Sequence, residues 1–114
     1  MTGDRLPSEL EAAALMRRAA ADGDFAAMLK KGDPDRGVLL LVVTSRGRHV
    51  ACLERVPSLS REEQWQVVGP AESASSADVA EFLAKRTRFD TDLWLIELDV
   101  AQPERFIAET TSGG

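Results

Sequence analysis

The sequence predicts an α+β domain: a mostly antiparallel sheet of five to six strands in the order αββββαβ(β), with two helices on one face. Three observations predict it. A capped, alanine-rich segment opens the chain, an apolar run at Val38–Val43 is followed by short alternating segments separated by turn residues, and a second capped segment feeds the apolar run Leu93–Leu98.

Ser8 and Glu11 have capping-box spacing, and Pro7 suits a helix entrance. Ala12, Leu15, Met16 and Ala19 then recur on one helical face, and Gly23 is the expected stop, so a helix is predicted over 8–22. Phe25, Ala27 and Leu29 alternate, and glycine-bounded room for only seven residues favours a strand over a helix at Phe25–Lys31. Gly32-Asp33-Pro34-Asp35-Arg36-Gly37 is a strong turn, because proline presets one dihedral and the aspartates bond their own backbone. It lacks P-loop spacing and leads into a strand, so it is not a phosphate cradle.

Val38–Val43 reads as a central strand buried on both faces. Ser45–Arg48 is a hairpin with Gly47 available for a positive dihedral, His49–Val56 is its partner strand, Pro57–Glu63 a loop and Gln64–Val68 a further strand of an antiparallel meander. After Gly69-Pro70 and a small-residue linker, Ser75 offers an N-cap with Asp78 in the first turn, and Val79, Phe82, Leu83 and Arg86 keep helical spacing over 75–87. Leu93–Leu98 is expected to be the fifth strand and Arg105–Ala108 a sixth, at an edge.

At 114 residues the chain is read as one domain, with an ordered core over 6–108 and a frayed tail over 109–114. Net charge is −5, and it sits in the second half: residues 1–57 hold nine Lys/Arg against eight Asp/Glu, residues 58–114 five against eleven. That acidity disfavours general nucleic-acid binding. Cys52 and His49 are single residues of their kind, so no internal disulfide and no cysteine metal cluster can form, most zinc sites are ruled out, and no cofactor is expected. Three residues apart on a strand they also point to opposite faces. The longest apolar run, six residues, is far short of a membrane span, which needs about 20. No signal-peptide core begins the chain, and a cytoplasmic setting is expected.

The stretch Lys30-Lys31-Gly32-Asp33, Trp65 on a short strand, Arg88 to Asp99, and Arg105-Phe106-Ile107 together resemble the bacterial domain-of-unknown-function family 1491. The resemblance implies the same order of elements in a small single domain and carries no activity, cofactor or catalytic residue with it. The hairpin at Ser45–Arg48 is shorter than that resemblance implies.

Two groups remain as candidate sites. Arg86, Arg88, Asp90 and Asp92 beside Trp94 form either a helix-to-strand brace or a recognition surface; Trp94 is core if it faces the helices and a contact residue if it lies on an open face. Lys30, Lys31, Arg46 and Arg48 would form a basic rim if brought to one edge. No catalytic motif is present, so the expected function is a non-catalytic interaction or adaptor domain acting through a sheet face or edge, with a protein partner or a second copy forming a homodimer. The alternatives are a small-ligand binder or enzyme using Arg86, Arg88, Asp90 and Glu97, and a weak nucleic-acid binder using the basic rim.

Overall fold

The computed structural model describes residues 7–56 and 64–112. The predicted loop Pro57–Glu63, the residues before Pro7 and the last two residues lie outside that range. The elements are α1 (Ser8–Ala21), β1 (Phe25–Lys30), β2 (Leu39–Ser45), β3 (Arg48–Val56), β4 (Gln64–Val68), α2 (Ser76–Phe89), β5 (Trp94–Asp99) and α3 (Pro103–Thr111). No helix among them is long and apolar enough to cross a membrane.

The α+β class holds, but the sheet is mixed. Its order is β1-β5-β2-β3-β4. β5 inserts between β1 and β2, antiparallel to the first (Phe25 opposite Asp99) and parallel to the second (Leu39 opposite Trp94). The expected meander survives only as β2-β3-β4. The physical reason is that β2 is apolar on both faces and both edges of the middle, so the most apolar remaining strand is its favoured neighbour.

The sixth strand is instead a helix. Pro103 fixes the first-turn dihedral of α3, and Phe106 and Ile107 pack against the core. The helices also do not share one face. α1 and α3 cover Leu39, Leu41, Val43, Leu53, Trp94, Ile96 and Leu98. The opposite face, with Leu40, Val42, Cys52, Leu93 and Leu95, receives Phe82 and Leu83 of α2. A strand buried on both sides requires cover on both sides, which overturns the one-face arrangement.

Local chemistry follows the sequence at most element ends. Ser75 accepts the Asp78 N–H at 3.1 Å as a true N-cap. At the β2–β3 hairpin Arg46 and Gly47 both take positive φ (54° and 79°), the pair that a tight two-residue hairpin needs. Ser8 departs from expectation: Pro7 is the N-cap of α1, and the Ser8 hydroxyl donates across to the Gly37 carbonyl at 2.7 Å. Glu11 is likewise turned away from its own helix end and pairs with Arg55 of β3, whose side chain is only 4% exposed. That pair fastens α1 to the sheet.

Candidate functional site

The turn from α2 into β5 is built as a corner. Arg86 reaches Glu54 on β3 at 2.8 Å, on the α2 face. Trp94 is buried (3% exposed) on the other face, and its indole N–H donates to the Asp33 carbonyl at 2.7 Å. Trp94 is therefore core. Arg88 lies over the Phe89 ring, 5.6 Å from its centre. The Asp90 carboxylate accepts the Asp92 N–H at 3.1 Å, an Asx turn, while the Asp92 carbonyl accepts the Asp33 N–H at 2.9 Å.

Glycines make this approach possible. A Cβ on Gly32 or on Gly37 would stand 2.1 Å from the Asp92 carbonyl oxygen, and one on Gly37 also 2.7 Å from the Trp94 ring. The Asp33 carboxylate accepts the Arg36 and Asp35 N–H groups, and these bonds hold it below the ordinary carboxylate pKa. Lys30 folds in as well, donating to the carbonyls of Thr91 (2.6 Å) and Leu93 (3.1 Å). The five residues Arg86, Arg88, Asp90, Asp92 and Trp94 are neighbours in sequence that the fold distributes over both faces and the turn between them.

The other predicted groupings are also spread. Lys30 pairs with Leu95 at the start of β5, whereas Arg46 and Arg48 belong to the hairpin beside the end of β5, so the basic residues occupy opposite ends of the sheet. Glu97 accepts the Thr44 hydroxyl at 3.1 Å and is not part of the Arg86–Glu54 pair.

Concave surface lies at the end where the parallel strands β2 and β5 finish, a common place for ligand clefts in open sheets. Between α1 and α3 is a groove of about 310 Å³ floored by Leu15, Leu98, Trp65 and Phe106, with Arg18 and Glu109 on its rim. A second, of about 370 Å³, continues over Val100 and Gln102 between Asp22 and Arg105. Arg105 pairs with Glu109 at 3.0 Å, and Asp24 accepts the Ala101 N–H at 3.2 Å. A third hollow, of about 290 Å³, opens beside Phe25, Arg46 and Asp99. Asp99 accepts N–H bonds from Gly47 (2.8 Å) and Arg46 (3.0 Å) and the Thr44 hydroxyl, and the Gly47 bond leads in holding its pKa below the ordinary value. No group of three metal-ligating side chains occurs among the described residues. Burial pushes the Cys52 thiol up to about 11, so it is a poor nucleophile.

β1 supplies the second accessible feature. It ends the sheet, and its outer side has no strand partner among the described residues. Ala26 and Met28 face the α1 core. Phe25 and Ala27 alternate with them, Leu29 falls at the register irregularity between Met28 and Lys30, and Phe25 and Leu29 are 60% and 50% exposed. α2 does not reach this strip, since Phe82 and Leu83 pack over the middle strands. The alternation was visible in sequence. The grooves were not, because they exist only if Pro103–Thr111 is a helix.

Residues 6–108 match the model of a family described as protein of unknown function (DUF1491). The fold is similar to the crystal structure of a DUF1491 family protein from Caulobacter crescentus CB15, at 24% identity and TM-score 0.76, covering 90% of this chain and 94% of that one. An NMR structure of a DUF1491 family protein from the same organism gives 26% identity and TM-score 0.71 over 89% and 93% of the two chains. A solution structure of a protein from A. tumefaciens is 29% identical, with TM-score 0.67 over 86% and 88%. No curated protein matches the chain.

Proposed function

We propose that this chain, which belongs to the DUF1491 family, is a non-catalytic interaction domain that docks a protein partner along the outer edge of β1. One observation carries the reading: Phe25 and Leu29 stand exposed on an edge strand, on a face that α2 leaves open. An edge strand offers unpaired N–H and C=O groups to an incoming strand, and alternate apolar side chains supply the adhesive surface. Natural edges are commonly guarded by a projecting lysine, but Lys30 is folded back onto the Thr91 and Leu93 carbonyls. The compartment on this reading is the bacterial cytoplasm, supported by the bacterial sources of the similar structures.

Affinity capture with wild-type and Phe25→Lys chains tests the reading. A partner held by the wild type should be lost with Phe25→Lys, and identical captured sets would overturn the edge as the docking surface.

A second reading, a small-ligand binder, is favoured by the groove between α1 and α3, where Trp65 and Phe106 offer aromatic walls at the carboxyl ends of β2 and β5. A ligand screen followed by tryptophan fluorescence tests it. A hit whose signal persists in Phe106→Ala would place binding elsewhere.

A further inference from the structure

We infer that the partner on the β1 edge is a second copy of this chain, paired antiparallel about a two-fold axis at Ala27. The inference rests on the edge reading above and narrows it to one occupant and one register.

Charge selects the direction. β1 is entered through Asp22 and Asp24 and leaves through Lys30 and Lys31. Antiparallel pairing sets the acidic entrance of one copy against the basic exit of the other, whereas parallel pairing would set like against like. Closed two-fold symmetry also makes the contact self-complementary and finite.

The exposed apolar residues select the register. With Ala27 opposite Ala27, Phe25 of each copy falls opposite the exposed Leu29 of the other, and Asp24 falls opposite Lys30. A shift of the pairing by two residues one way places Phe25 opposite Ala27, and Leu29 opposite Gly23. The shift the other way places Phe25 opposite Lys31. Only the Ala27-centred register joins all the exposed apolar side chains of the strip, and the small Ala27 at the axis lets the flanking pairs close. The register irregularity between Met28 and Lys30 falls at Leu29, so the regular pairing is centred on Phe25–Met28 and the two Phe25–Leu29 contacts close its margins. The product is one continuous sheet whose two α2 helices lie on the same face, on either side of the joined apolar strip. An edge contact of this length is small, so association in roughly the micromolar range is expected.

Light scattering across a concentration series, together with disulfide trapping of Ala27→Cys, tests this. The native Cys52 is fully buried and does not compete for trapping. Directly opposed strand residues hold their Cβ atoms about 4.5–5.5 Å apart, near disulfide reach. The expected result is a reversible dimer, trapped by oxidation in Ala27→Cys but not in the exposed Lys31→Cys, which the register separates from its symmetry mate by eight residues along the strand. Phe25→Lys should weaken the dimer by roughly a hundredfold, since each dimer loses two apolar pairs and gains two charges. A strict monomer overturns self-pairing, and the edge reading then stands only if Phe25→Lys still loses a captured partner. A dimer that traps through Lys31→Cys, or that Phe25→Lys leaves intact, overturns the Ala27-centred pairing, and the capture comparison again decides the edge.

Discussion

Where β2 and β5 begin, the sheet is closed by backbone. Two glycines let the 32–37 turn press against the Asp92 carbonyl, Trp94 hydrogen-bonds back to Asp33, and the Ser8 hydroxyl crosses from α1 to Gly37. Where the same two strands finish, the chain leaves hollows between α1 and α3 and beside Phe25 and Asp99. Both ends are rich in Asp and Arg, so composition does not separate them. Close approach of backbone does: at the closed end the glycine turn lies directly against the Asp92 carbonyl, while at the open end Asp24 and Asp99 bond backbone N–H groups beside hollows and Arg105 and Glu109 pair on the surface, 71% and 67% exposed. The closed end is packed without room for an added atom, and the open end and the β1 edge are where surface stays accessible.

If that division is right, the largest effect comes from breaking the closed end. Gly37→Ala puts a methyl group against the Asp92 carbonyl oxygen and the Trp94 ring, with no flexible side chain able to yield. Destabilisation of about 3 kcal/mol or more is expected in denaturant unfolding. Gly47→Ala at the hairpin, where no neighbour stands within 4 Å, should cost only the strain of its positive φ, about 1 kcal/mol. Equal costs would erase the contrast between steric and conformational glycines.

Trp94→Phe is the next step down. It removes the indole N–H, leaves the Asp33 carbonyl short of a partner and opens part of the indole volume inside the core. About 2 kcal/mol is expected from thermal or denaturant midpoints. A cost near zero would return Trp94 to the surface and reopen the stretch Arg86–Trp94 as a recognition site.

Much of this architecture was legible in sequence because its causes are local. Ala12, Leu15, Met16 and Ala19 sit on one helical face, Ser75 lies before a helical pattern, and Gly47 sits at a hairpin; each carries its own cause within a few residues. The insertion of β5 between β1 and β2 was not legible, since it depends on which distant strand best covers a doubly apolar β2. Ser8 and Glu11 misled for the same reason: their spacing fits a capping box, yet Gly37 and Arg55 from far along the chain offered better partners. Arg105–Ala108 looked like an edge strand as a four-residue run, but Pro103 ahead of it and Phe106, Ile107 and Thr110 behind give helical spacing. The candidate groove followed that helix out of view. The residues that looked most functional, Arg86 to Trp94, stood out because a tight corner concentrates polar turn-formers, and that density is itself structural.

Acid should affect both ends, and by less. Asp33 at the closed end and Asp99 at the open end both have carboxyl groups held below the ordinary value of 3.8, in each case chiefly by a backbone N–H. A folded pKa below the unfolded one gives stability that is complete above the unfolded pKa and is lost as pH falls through the folded pKa. Melting temperature should therefore fall on acidification below about pH 4, and Asp33→Asn and Asp99→Asn should each flatten that fall. A melting curve that drops already between about pH 7 and pH 5 would point to another group, because neither aspartate changes protonation there.

The smallest effect expected is also the most informative about the open side. Phe25 has 60% of its surface in solvent, so Phe25→Ser removes little burial, and at protein concentrations low enough to keep the chain monomeric it should change stability by no more than about 0.5 kcal/mol. Leu29→Ser, at 50% exposure, should behave alike. A cost that small would leave contact with another chain as the role for a large phenylalanine on an edge strand. A loss of about 2 kcal/mol would instead show that Phe25 closes the sheet against its own chain, and the β1 edge would join the closed end of the molecule as structure.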